Sequence, residues 1–117
     1  MQMPDTRSTR FGEDFDTPVM TAPLSHLHNS ENDGMDVYAK GAALSNALHW
    51  VGMGEDEELE RVVATGAKSI KIIKPHADNR EVFRKIEHAV SVGCIAVGMD
   101  TDHAFNSNGG YDDVFGL

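Results

Sequence analysis

Residues 69–100, SIKIIKPHADNREVFRKIEHAVSVGCIAVGMD, decide the fold. The segment opens on a β-branched apolar run, SIKIIKP, and closes on a second one, CIAVGMD. Such runs read as strands covered on both faces. Between them lies a single helical period. Asp78 stands three residues before Glu81, the spacing of a capping pair. Val82, Ile86 and Ala89 share one face, Phe83 and Val90 lie beside it, and Gly93 supplies the stop. Strand, helix and strand in this order predict a right-handed crossover between parallel neighbours.

The same plan extends towards the N-terminus. TPVMTAP, residues 17–23, is a short strand bounded by prolines. After the polar loop SHLHNSENDG, the segment MDVYAKGAALSNAL places Val37, Leu44 and Leu48 at helical spacing. HWVGMG reads as a second strand. EDEELERVVATG follows as a helix with acids at its start, where the dipole favours them, and Gly66 at its end. The acid run GEDEELE is expected to be solvated. Four parallel strands and three helices result, an α/β plan.

Alternation along the strands sorts their side chains. Ile70 and Ile72 point one way, Lys71 and Ile73 the other; Ile95, Val97 and Met99 oppose Ala96, Gly98 and Asp100. The bulkier sets suit packing against helices. The sets holding Lys71 and Asp100 suit a barrel interior, where a lone charge is costly unless paired and therefore points to chemistry. The last strand runs straight into Asp100, Thr101, Asp102 and His103, the end at which α/β folds collect ligand groups. Trp50 is expected in the core, with stacking against a ligand as its alternative, His88 on the exposed side of its helix, and Lys74 at the surface, where neutralising a ligand anion is its alternative role.

Composition limits the partners. The chain has 117 residues, 40% hydrophobic and 25% charged, as a single globular domain would. Ten Lys and Arg against nineteen Asp and Glu leave a net charge of −9. That disfavours nucleic acid, whose affinity rests on cationic neutralisation, and anionic membranes alike. No apolar stretch approaches the ~20 residues of a bilayer span. The one cysteine, Cys94, reads as a small buried hydrophobe and forms no internal disulfide, which fits a cytoplasmic location.

Together these segments resemble the FMN-dependent α-hydroxy-acid oxidases and dehydrogenases, such as glycolate oxidase, lactate oxidase and L-lactate dehydrogenase. DTRSTRFGEDFDTPVMTAPLS is similar to the opening of that family's barrel: an Asp-Thr-rich β-hairpin, then a strand ending in Ala-Pro. SIKIIKPHADNREVFRKIEHAVSVGCIAVGMDTD is similar to its third strand, helix and fourth strand. The likeness implies a β-hairpin-like opening segment, residues 1–16, and the N-terminal half of a (β/α)₈ TIM barrel, residues 17–117. A whole barrel takes about 250 residues. Four strands cannot close one, so both sheet edges are expected to stay open.

The resemblance implies FMN as cofactor and a small α-hydroxy acid as the parent enzyme's substrate, oxidised to the 2-keto acid by hydride transfer to flavin. It implies that the backbone of Ala22, Pro23, Leu24 and Ser25, and the strand tip at Gly52, Met53 and Gly54, lie beside the flavin. Lys71 falls where members often carry a Gln on the pyrimidine edge, and a cation there would stabilise anionic reduced flavin. Asp100 matches an Asp that orients the catalytic His. Departures are equally plain. Ile73 stands in place of a substrate-facing Tyr and Gly98 in place of a flavin-contacting Thr, and AFNSNGGYDD holds no cation for a substrate carboxylate. The catalytic His, its neighbouring Arg and the phosphate loops belong to the family's second half. The chain alone is thus expected to be inactive.

Two other readings compete. His26 and His28, with Asp100, Asp102 and His103, are the residue types of a metal site at the same barrel end, as in amidohydrolases. Alternatively the chain is a non-catalytic half-barrel that binds flavin weakly and associates with itself or with a complementary half, driven by open edges and an exposed apolar face.

Overall fold

A computed structural model describes residues 4–27 and 31–101. Its elements are β1 (Ser8–Arg10), β2 (Glu13–Phe15), α1 (Gly34–Leu44), β3 (His49–Val51), α2 (Asp56–Ala64), β4 (Ser69–Ile73), α3 (Asn79–Val92) and β5 (Ala96–Met99). β1 and β2 form an antiparallel hairpin, Ser8 opposite Phe15 and Arg10 opposite Glu13. Phe11 and Gly12 turn it with φ of 53° and 75°, the two left-handed positions of a type I′ turn. β3, β4 and β5 form a parallel sheet in that order.

The first expected strand is reduced to one parallel bridge, Met20 to Leu48. The Thr21 N–H donates to the Leu48 carbonyl at 3.1 Å. Pro18 and Pro23 flank this bridge and carry no N–H, so no longer ladder forms there.

Two clusters hold the half-barrel together. Helices pack on one side of the sheet through Met35 and Ala39 of α1, Leu59 and Val62 of α2, Ala89 of α3, and Val51 of β3. On the other side Phe15 of the hairpin packs with Leu48 and Ile70, with Trp50, Ile95 and Ala96 around them. The hairpin is fastened there by backbone and side chain: Asp16 N–H donates to the Asn46 carbonyl at 3.1 Å, and Lys68 Nζ to the Asp14 carbonyl at 2.7 Å.

α1 departs from its expected face and length. It ends at Leu44, and its buried residues are Met35, Ala39 and Ala42. Val37 is 54% exposed and Leu44 90%. Small side chains, not the large ones, meet the sheet, so the helix lies close to it. Leu48 is fully buried beyond the helix, where it bridges Met20.

α3 forms as its pattern predicts. Asp78 caps it by accepting from Arg80 N–H at 2.9 Å, and Gly93 ends it at φ 102°. Glu81 turns instead to Arg84, with contacts of 2.8 and 3.0 Å. Arg84 also reaches Asp56 of α2 at 2.7 Å. His88 is not on the exposed side: its imidazole lies 3.0 Å from Glu60, in the seam between α2 and α3. The acid run before it is likewise partly engaged, since Asp56 is paired and Glu58 half-buried.

Register corrects the sorting of β4 against β5. Trp50 pairs with Ile70, Ile70 with Ala96, and Ile72 with Gly98; Val51 pairs with Lys71, and Lys71 with Val97. Paired residues of neighbouring strands share a face. Ile70, Ile72, Ala96 and Gly98 therefore line the concave side. Lys71 shares its face with Val51, a member of the helix-side cluster. Lys71 and Asp100 do not share a face.

Candidate functional site

The candidate site residues gather at the C-terminal ends of the strands. Gly52, just past β3, joins the two expected stretches. Its N–H donates to the Leu24 carbonyl at 3.3 Å, its carbonyl accepts from Lys71 Nζ at 2.5 Å, and the next amide, Met53 N–H, donates to Ser25 Oγ at 2.7 Å. A Cβ at residue 52 would lie 2.3 Å from Ser25 Oγ and 2.6 Å from both the Pro23 and Leu24 carbonyls. Only glycine lets the two segments meet. The expected flavin-contacting stretches, Ala22–Ser25 and Gly52–Gly54, are thus brought together.

Ala22 is already committed within this rim. Its N–H donates to the Tyr38 hydroxyl at 3.0 Å, and that hydroxyl donates to the Ala22 carbonyl at 3.1 Å. Thr21 ties the same segment to β3: its Oγ1 accepts from Trp50 N–H at 2.8 Å and lies 2.9 Å from His49 Nδ1. His49 is fully buried, with the Tyr38 ring edge-on at 5.1 Å. Burial lowers its pKa from 6.5 to about 4, so it is neutral at physiological pH.

On the concave face, Thr21, Pro23, Trp50, Ile72, Met99 and Asp100 surround an open cleft of about 410 Å³. Trp50 is half-buried at its wall rather than sealed in the core, and its indole N–H meets Met20 Sδ at 3.3 Å. Gly98 keeps the floor open, since a Cβ there would lie 3.0 Å from Ile72 Cδ1. Asp100 is at the rim, its N–H donating to the Ile73 carbonyl at 3.1 Å. Its carboxylate is ion-paired with Lys74. Lys74 is only 8% exposed, so the surface expected for it is corrected.

Lys71 is also buried, at 7% exposure. Its charged neighbours are Lys85 of α3 and Glu58 and Asp56 of α2; burial first, then Lys85, pulls its ammonium below the usual lysine range. Cys94 is half-buried against the helix-side cluster, and burial raises its thiol pKa.

Lys74, Thr21, His49 and Tyr38 are the residues that sequence reasoning missed. Lys74 had a usable signal, since it continues the Ile70, Ile72 parity onto the concave face. The other three had none, because their partners lie 16 to 29 residues away along the chain. Of the proposed metal ligands, His28, Asp102 and His103 fall outside the described residues. Among the described residues no group of three or more His, Cys, Asp or Glu is arranged to hold a metal ion. No described helix is long and apolar enough to cross a membrane.

The family model for FMN-dependent dehydrogenases matches residues 1–114. The chain belongs to this FMN-dependent dehydrogenase family. Solved structures carry the fold. A Pediococcus acidilactici protein assigned as a lactate oxidase matches with a TM-score of 0.82 at 20% identity, over 97% of this chain and 32% of its own. A mandelate oxidase variant determined with 4-Br-2-hydroxy-methylphenylacetate matches with a TM-score of 0.79 at 19% identity, over 86% of this chain and 31% of its own. The chain therefore spans about a third of the length of those relatives. No curated protein matches it.

Proposed function

We propose that this chain supplies the ring-facing half of an FMN site in an oxidoreductase that converts a small α-hydroxy acid to the 2-keto acid. The observation that carries this reading is the cleft on the concave face, at the strand ends, walled by Pro23 and Trp50 and floored by Ile72. Its size falls in the ~300–1,000 Å³ range of small-molecule sites. An apolar floor left flat by Gly98 and a rim of backbone groups suit a planar heterocycle. Bound FMN would supply the hydride acceptor.

The chain's own residues have distinct tasks. Pro23, Leu24 and Ser25, with Gly52, Met53 and Gly54, would hold the ring edge. Ala22 would position them, because both its backbone groups are held by Tyr38. Lys71 supports the Gly52 carbonyl from the helix side and so acts on the rim rather than on the ring. Asp100 would orient an imidazole from the second barrel half, displacing Lys74 as its partner. The α-hydroxy acid itself would be bound chiefly by that second half. One cysteine keeps a cytoplasmic location within this reading.

Trp50 is the chain's single tryptophan and lines the cleft, so it reports occupancy. Titration with FMN is expected to quench its emission and shift the visible flavin band. Unchanged spectra across a millimolar range of FMN would defeat the proposal.

A second reading is favoured by the exposed apolar pairs Val37/Leu44 on α1 and Phe83/Val90 on α3. Each pair is spaced seven residues apart, on one helical stripe. Such stripes suit a half-barrel that associates with a second copy or a complementary half.

A further inference from the structure

On the helix side of β4 lies a second, smaller pocket of about 160 Å³, between the strand's C-terminal end, α3 and the turn after β3. Met53 and Gly54 form one wall, and Lys71, Lys74, His76 and Lys85 converge on it. Three of the chain's ten Lys and Arg therefore meet at one small space in a protein of net charge −9. No carboxylate side chain lines it among the described residues.

This is an unusual place to gather cations. Lys71 and Lys74 are 7% and 8% exposed, and the Lys85 side chain is 24% exposed. Buried ammonium groups are costly unless compensated, and neighbouring ones repel. The nearby acids compensate this cluster unevenly: Asp100 pairs with Lys74 itself, whereas Glu81 holds Arg84 at 2.8 Å and reaches Lys85 only at 4.0 Å. Glu58 lies near Lys71 but outside the lining. Lys71 donates one N–H to Gly52, and an ammonium has three.

We propose that this pocket binds a small phosphate-type oxyanion, either free or as the terminal group of a small ester. Convergent lysines serve as point charges for such an anion, and its several oxygens accept from more than one of them at once. The space equals about five water volumes at ~30 Å³ each, enough for one phosphate group and too small for a flavin ring. It adjoins the concave cleft, since Ile72 borders both and Lys74 pairs with the cleft's Asp100, but Lys71, His76 and Lys85 line this pocket and not the cleft.

The test is thermal unfolding of the full chain in inorganic phosphate against chloride at equal ionic strength, repeated for Lys85→Gln, His76→Gln and a remote control, Lys40→Gln. Phosphate is expected to raise the melting temperature saturably. Lys85→Gln, which keeps most of the stem and a polar end but removes the charge, should weaken the apparent affinity about tenfold, while Lys40→Gln leaves it unchanged. A melting temperature that tracks ionic strength alone, or a Lys85→Gln response equal to wild type, overturns the proposal. Glycerol phosphate distinguishes the sources: a larger shift than inorganic phosphate assigns the site to an ester, a smaller one to the free ion. Trp50 emission in the same samples follows the cleft, so the flavin reading and this one fail separately.

Discussion

The Lys71 ammonium holds the Gly52 carbonyl at 2.5 Å from the face of the sheet opposite the cleft. Gly52 in turn holds Leu24 through its N–H. A buried charge thus braces the rim from behind. Lys71→Met would remove the ammonium and leave the Gly52 carbonyl without that donor, a cost of about 1–3 kcal/mol, partly offset by no longer burying a charge. The expected net loss in urea unfolding is about 1–2 kcal/mol on the same grounds. FMN affinity should fall with it, and Lys71→Arg should not restore either, because a planar fork does not fit a site built for one short donor.

Gly52→Ala attacks the same junction from the other side. The new methyl would sit within 2.6 Å of two backbone carbonyls, which cannot rotate away. Overpacking of this kind costs typically ~1–3 kcal/mol. Gly54→Ala is the control. The atoms nearest its Cβ would all belong to the Glu58 carboxylate, the end of a flexible side chain. Urea midpoints should fall for the first variant and barely move for the second.

Lys74 and Asp100 couple β4 to the end of β5 across the cleft rim. Removing one partner of a largely buried pair is more harmful than removing both. Lys74→Met and Asp100→Asn are each expected to destabilise the chain, and their combination by less than the sum. A double-mutant cycle should give a coupling of about 0.5–3 kcal/mol. A coupling near zero would leave Asp100 held by other contacts and free to change partner at little cost.

The long-period features were legible in the sequence because they depend on local rules. α3 needed only Asp78, Gly93 and an apolar stripe, all within one segment. The helices and parallel order followed from similar signals, whereas the hairpin was expected only from the family resemblance. What escaped notice depended on register, which no single segment contains. Placing Lys71 on the helix side required knowing that Ile72, not Lys71, pairs with Gly98. The exposure of Leu44 likewise hinged on Ala39 and Ala42 meeting the sheet, a choice made by close packing rather than by hydrophobicity. The cleft's six walls come from four separate stretches of chain, so only the fold assembles them.

Leu44 and Phe83 test the self-association reading at little cost to the fold. They are 90% and 62% exposed, so Leu44→Glu and Phe83→Glu should change stability by no more than about 0.5 kcal/mol. Light scattering across a hundredfold concentration range is expected to give a dimer or larger species for wild type and a monomer for the double variant. A wild-type chain that stays monomeric and folded throughout would remove the second copy as the occupant of these faces.

His49 sets a pH dependence whose sign is fixed by burial. Its imidazole titrates near 4 when folded, against 6.5 for the free group, because desolvation disfavours the charged form. Above pH 6.5 the ring is neutral in both states and the fold loses nothing. Below it the unfolded chain takes up a proton that the folded chain refuses, so stability falls as pH drops and the loss is complete once pH passes below about 4. One proton over that interval amounts to about 3 kcal/mol in total, at ~1.4 kcal/mol per pH unit. The Thr21 hydroxyl can serve either tautomer, so the bond at 2.9 Å does not alter the sign. His49→Gln retains a polar partner for Thr21 and removes the titration. Urea midpoints measured from pH 7 to pH 4 should therefore slope more gently in His49→Gln than in wild type, and parallel slopes would assign the acid sensitivity to the carboxylates instead.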